Sequence, residues 1–96
     1  MTQALQQQRT VIDELDLELL RLINRRAQAV AEIARLKLEH SLPVSDEARE
    51  AAILNAVLQS NSGPLNAASL RRIFGSILAE SRRLQYHLGA DSSCTQ

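Results

Sequence analysis

Residues 1–42 read MTQALQQQRTVIDELDLELLRLINRRAQAVAEIARLKLEHSL and contain neither glycine nor proline. Nothing in that run interrupts a helix. Its apolar residues Leu5, Ile12, Leu15, Leu19, Leu22, Ile23, Val30, Ile33 and Leu36 fall largely three or four apart, the period of an amphipathic helix. Acidic Asp13, Glu14, Asp16 and Glu18 precede basic Arg21, Arg25, Arg26 and Arg35, the order that the helix dipole favours. The run predicts one helix over about residues 4–39. Such a helix is about 54 Å long, whereas a compact chain of this size is roughly 35 Å across. Two shorter helices cannot cover an apolar stripe of that length. The expected cover is a second copy of the chain about a two-fold axis, giving an intertwined helical homodimer.

The breakers lie downstream, with Gly at 63, 75 and 89 and Pro at 43 and 64. Leu42-Pro43-Val44 reads as an extended connection, with Ser45 as N-cap of a second helix from Asp46 to about Ser60. Its apolar residues are Ile53, Leu54, Val57 and Leu58. Asn61-Ser62-Gly63-Pro64 is a turn signal. Asn66 then caps a third helix carrying Leu70, Ile73, Phe74, Ile77, Leu78, Leu84 and Leu88, which is expected to end at Gly89. Gly75 within it reads as a close helix-helix approach. The expectation is an all-α fold, with a single domain over 1–96, helices near 4–39, 46–60 and 67–88, and a frayed tail over 90–96.

Composition excludes several function classes. The 96 residues carry 11 basic and 11 acidic side chains, so the chain has no basic excess for coating a polyanion. Arg71, Arg72, Arg82 and Arg83 form two pairs on one side of the third helix. Without stacking aromatics beyond Phe74 and Tyr86 they read as a solvated face, and no nucleic-acid partner is expected. Cys94 is the only cysteine, so neither an intrachain disulfide nor a thiolate metal cluster can form. His40 and His87 have no partner at helical spacing that would suggest a metal-binding face. No metal or cofactor is expected. The N-terminus lacks an apolar signal core, and no apolar run approaches the roughly 20 residues of a membrane span. A cytoplasmic protein with no membrane partner is expected.

The informative feature is polarity on faces that should be apolar. Arg26 sits on the stripe of the first helix between Leu22 and Val30, and Lys37 continues the line after Ile33. Eleven residues turn a helix three times plus about 20°, so the two cations share a face about 16 Å apart. Long basic side chains also snorkel past a core edge, which is the bland alternative. Asp46, Arg49 and Glu50 share one face of the second helix with Ile53 and Val57; first-turn carboxylates complementing the dipole would look the same. On the third helix Ile77, Ser81, Gln85 and Leu88 lie in line, placing a hydroxyl and an amide within the apolar stripe. Three helices sharing this anomaly indicate a polar cavity inside a bundle.

The ordered motifs carry a resemblance. They are R-x-x-I-D-x-L-D at Arg9 to Asp16, N-R-R-A at Asn24 to Ala27, Lys37, P-V-x-D-x-x-R-E at Pro43 to Glu50, and E-S-R-x-x-Q at Glu80 to Gln85. With these, the chain resembles the all-helical chorismate mutases of the AroQ class, from about Leu5 to Leu88. The resemblance implies conversion of chorismate to prephenate in aromatic amino-acid biosynthesis. It further implies that Arg26 and Arg9 of the other subunit hold the two substrate carboxylates, with Ser81 assisting one of them. Lys37 and Gln85 would donate to the ether oxygen of the breaking bond. Glu50 would accept from the ring hydroxyl with Asp46 near it, while Arg49 would shape the electrostatics of the pocket. The reaction is an intramolecular rearrangement, so it needs no nucleophile, metal or cofactor, in keeping with the residue types present. Two other readings remain: an isochorismate-pyruvate lyase, which resembles the same fold, and a non-catalytic helical dimerisation module whose polar stripe residues only set register.

Overall fold

A computed structural model of the chain describes the backbone of residues 2–94 and the side chains of residues 2–89. It consists of three helices, α1 (Gln3–Glu39), α2 (Glu47–Ser60) and α3 (Ala67–Cys94), and there is no strand among the described residues. The first helix starts where Thr2 Oγ1 accepts the Leu5 N–H at 3.1 Å. It stops in a Schellman turn: the Leu42 N–H reaches back to the Lys37 carbonyl (2.8 Å) and the Ser41 N–H to that of Leu38 (3.3 Å). Ser41 occupies the left-handed position of that turn with φ 54°.

Two helix ends differ from expectation. Asp46, not Ser45, caps α2: its Oδ1 accepts the Arg49 N–H at 3.0 Å, and the helix starts one residue later. The Ser45 hydroxyl instead meets the Tyr86 hydroxyl at 3.3 Å. The third helix passes Gly89 and continues to Cys94, replacing most of the expected frayed tail; residues 95 and 96 lie outside the described residues. No glycine has positive φ, so Gly89 forms no left-handed cap, and with no proline after it the helix continues at modest cost. The turn at Asn61 forms as expected, with Asn61 Oδ1 accepting the Gly63 N–H (3.2 Å). Asn66 caps α3 through the Ser69 N–H (2.8 Å). Gly75 makes no close approach within the chain, since a Cβ there would meet nothing within 4 Å.

The central element is α3, which packs against both α1 and α2. Arg26 meets Ser81 and Lys37 meets Gln85, so α1 and α3 run in the same sense. The core is small: Val30 and Ala34 of α1 with Leu70 and Leu78 of α3. The N-terminal half of α1 is bare. Nine large hydrophobics from Leu5 to Ile23 are each 44–57% exposed. The protomer measures 60 × 29 × 15 Å, with a radius of gyration of 17.4 Å against about 13 Å for a compact chain of this length. Its accessible surface is 7590 Å², about 2,000 Å² more than a compact monomer of 10.6 kDa would show.

Candidate active site

One cavity of about 310 Å³ lies where the three helices converge. Helix α1 contributes Arg26 and Lys37 over an apolar floor of Val30 and Ile33. The segment opening α2 contributes Asp46, Arg49 and Glu50, and α3 contributes Ser81, Arg82 and Gln85. Four cations and two carboxylates therefore line the cavity. The formal excess of two positive charges suits a small dianion.

The hydrogen bonds fix most of these groups in place. Arg26 Nη1 donates to Ser81 Oγ at 2.6 Å, and the Ser81 hydroxyl donates in turn to the Ile77 carbonyl at 2.9 Å. Ser81 thus holds the guanidinium rather than presenting a spare proton. Lys37 Nζ donates to the Val44 carbonyl at 2.8 Å and to Gln85 Oε1 at 3.0 Å. Both acceptors are neutral, and among the described residues no carboxylate pairs with Lys37. An ammonium has three protons, so one is left for a ligand. Because Lys37 takes the amide oxygen of Gln85, the Gln85 amide nitrogen must face away from it, and Gln85 is only 9% exposed. Two donors, one charged and one neutral, are thereby set side by side. Neither Arg26 nor Lys37 snorkels to solvent; each crosses to α3.

Every site residue expected from the sequence meets in this cavity except Arg9. Arg9 lies on the bare half of α1, 17 positions before Arg26, about 25 Å along the helix axis. Arg82 is the residue that sequence reasoning missed. Beside Arg71, Arg72 and Arg83 it reads as part of a solvated face, yet it donates from Nη1 to Glu50 Oε1 across the α2–α3 interface. Its neighbour Arg83 does face solvent, pairing with Glu80 one turn before it. The signal was available: Arg82 follows Leu78 by four and precedes Gln85 by three, which places it on the cavity stripe. The clearest pKa perturbations lie elsewhere, on the outer face of α1. There Arg35 donates to both oxygens of Glu32 and pairs with Glu39 at 3.1 Å. The hydrogen bond from Arg35 holds the Glu32 carboxyl below its ordinary value, and Arg35 is raised in return.

A second cavity of about 250 Å³ adjoins the first at Arg26 and Ser81. Its walls include Ile23, Ala27, Ile77 and Leu84, so it continues the bare apolar face of α1 into the site. Among the described residues no group of His, Cys, Asp or Glu has metal-binding geometry. Nor is any described helix long and apolar enough to cross a membrane.

The geometry has close counterparts. The chorismate mutase of Thermus thermophilus (form II) superposes with a TM-score of 0.86 at 33% identity, over 88% of this chain and 96% of that one. The chorismate mutase of Helicobacter pylori, solved in complex with prephenate, gives 0.83 at 30% identity, over 91% and 94%. Among curated proteins, the bifunctional chorismate mutase/prephenate dehydratase of Stutzerimonas stutzeri is 36% identical over 86 residues, covering 83% of this chain and 23% of its own length. The corresponding protein of Pseudomonas aeruginosa is 35% identical over 95 residues, covering 88% and 26%. The chain thus spans about a quarter of the length of these curated relatives. The model of the family described as chorismate mutase type II matches residues 8–86, nearly the whole three-helix body, and the chain belongs to that family.

Proposed function

We propose that the chain binds chorismate in the polar cavity and rearranges it to prephenate. One observation carries the reading: Lys37 stands beside Gln85 and donates to its amide oxygen, while Arg26, about three helical turns away along α1, is held by Ser81. The first pair suits an ether oxygen gaining negative charge, and Arg26 suits a carboxylate. In the rearrangement the ether C–O bond breaks as a C–C bond forms within the same molecule, and no proton is transferred. The protein therefore has two tasks, to hold the flexible dianion in its compact conformer and to stabilise the developing charge. Donors already oriented by Val44, Ser81 and Ile77 need little reorganisation during the reaction. Glu50 accepts from the ring hydroxyl, with Asp46 and Arg49 shaping the local charge.

The second carboxylate is assigned to Arg9 of a second copy. The bare face of α1, the excess surface and the apolar cavity beside Arg26 all support a homodimer in which the partner's α1 lies along this one. The reaction is placed in the cytoplasm and requires no cofactor. The test is an assay of chorismate loss by ultraviolet absorbance, with the product identified. Prephenate formation is expected. Release of pyruvate from isochorismate with no turnover of chorismate would instead make the chain a lyase. A chain that turns over neither substrate and gives no heat with a bicyclic dicarboxylate mimic of the transition state would be a non-catalytic module.

A further inference from the structure

The Arg82–Glu50 contact differs in kind from the other ion pairs. Arg35 and Arg83 pair with carboxylates one turn away on their own helices, with more than half of each side chain exposed. Arg82 instead joins two helices across 32 residues of sequence, and its side chain is 36% exposed against 27% for Glu50. Both residues line the polar cavity. The contact engages Glu50 Oε1, while Oε2 makes no hydrogen bond among the described residues. Asp46 lies one turn before Glu50 on the same wall, so Glu50 has a like charge as neighbour.

We propose that Arg82 is a positioning residue: by holding Oε1 it aims Glu50 Oε2 into the cavity to accept the ring hydroxyl, and so sets the preference for a hydroxylated ring. The inference rests on the chorismate reading of the site. A carboxylate on a helix surface samples several rotamers, and a guanidinium bonded to one oxygen leaves the other in a defined direction. Arg82 also offsets a negative charge that would otherwise repel any dianion. That second effect is common to all dianionic substrates, whereas the aim of Oε2 matters only when a hydroxyl is present.

The difference makes the role measurable. Turnover is compared between chorismate and an analogue lacking the ring hydroxyl, and the ratio of the two kcat/KM values is taken. Charge and packing effects act on both substrates and cancel in that ratio. Arg82→Ala is expected to lower the ratio about tenfold, the scale of losing one hydrogen bond to a charged acceptor. Glu50→Gln should lower it at least as far, and the double variant no further than Glu50→Gln alone. Arg82→Gln keeps the side-chain stem against α2 and carries the same expectation should Arg82→Ala fail to fold. If activity falls while the ratio stays at the parent value, Arg82 is only structural or charge-compensating and the inference is overturned. It is equally overturned if the double variant shows the product of the two single losses. The parent's own turnover of chorismate tests the functional reading separately.

Discussion

Lys37 has more than one role. Its ammonium bonds the Val44 carbonyl and Gln85, and its own carbonyl anchors the turn after α1. Lys37→Ala is expected to lower turnover at least about 100-fold, the scale for one donor to a developing oxyanion. It also leaves two acceptors without their donor, so a melting temperature several degrees lower is expected. Near-normal turnover in a folded variant would remove Lys37 from the chemistry. Gln85→Glu tests the neighbouring donor: a carboxylate facing the ether oxygen helps only when protonated. The variant should therefore regain activity toward acid pH where the parent does not, and superimposable pH profiles would contradict the role. Arg26, Lys37, Ser81 and Gln85 were legible in the sequence because each interrupts an apolar stripe. Arg82 was not, because the adjacent Arg83 makes the two read as one solvated pair.

The helix ends show where local signals and structure separate. Glycine at 89 reads as a stop, yet α3 continues through it to Cys94 with no positive φ at the glycine. Serine at 41 carries no such signal, yet it ends α1 with φ 54°. The 6→1 bond from Leu42 to Lys37 and the proline that follows hold it there. Opposite substitutions are therefore expected to stabilise the two ends. Ser41→Gly removes the strain of a side chain in the left-handed region, and Gly89→Ala removes backbone freedom from the unfolded chain, each by about 1 kcal/mol. For a chain of this length that is a rise in melting temperature of roughly 4–8 °C, with kcat unchanged. A fall in melting temperature for Ser41→Gly would mean that the serine side chain itself holds the turn. The cap of α2 lies one residue beyond the expected Ser45 because Ser45 and Asp46 are both good N-caps, and only the path of the chain decides between them.

At the scale of the molecule, one helix serves two purposes. The C-terminal half of α1 builds the cavity, and its N-terminal half presents hydrophobics that the described residues leave about half exposed. The mismatch between helix length and domain size was legible from the uninterrupted run alone, whereas a residue that a second copy would supply, as proposed for Arg9, has no signature in one chain's pattern. Arg9 and Arg26 lie about 25 Å apart on one helix and cannot hold one small dianion from the same chain. Homodimers of Arg9→Ala and of Arg26→Ala should each be nearly inactive. A refolded equal mixture should regain roughly a quarter of the parent's sites, since about half the dimers are heterodimers and each of those has one whole site. Active-site titration reads this directly. No regain, with heterodimers verified by mass, would mean that the sites are not shared.

Helix α2 has a consequence of a different sort. It has no buried side chain, yet with its cap Asp46 it contributes Arg49 and Glu50 to the most densely charged wall of the cavity. An element with so little burial opens locally at small cost. A bound dianion would then become part of what holds the wall shut, much as mortar sets a loose course of brick. Amide exchange along α2 should be fast in the free protein and slow sharply when a transition-state mimic is bound, by more than anywhere on α1 or α3. The protein would complete its own architecture only while at work.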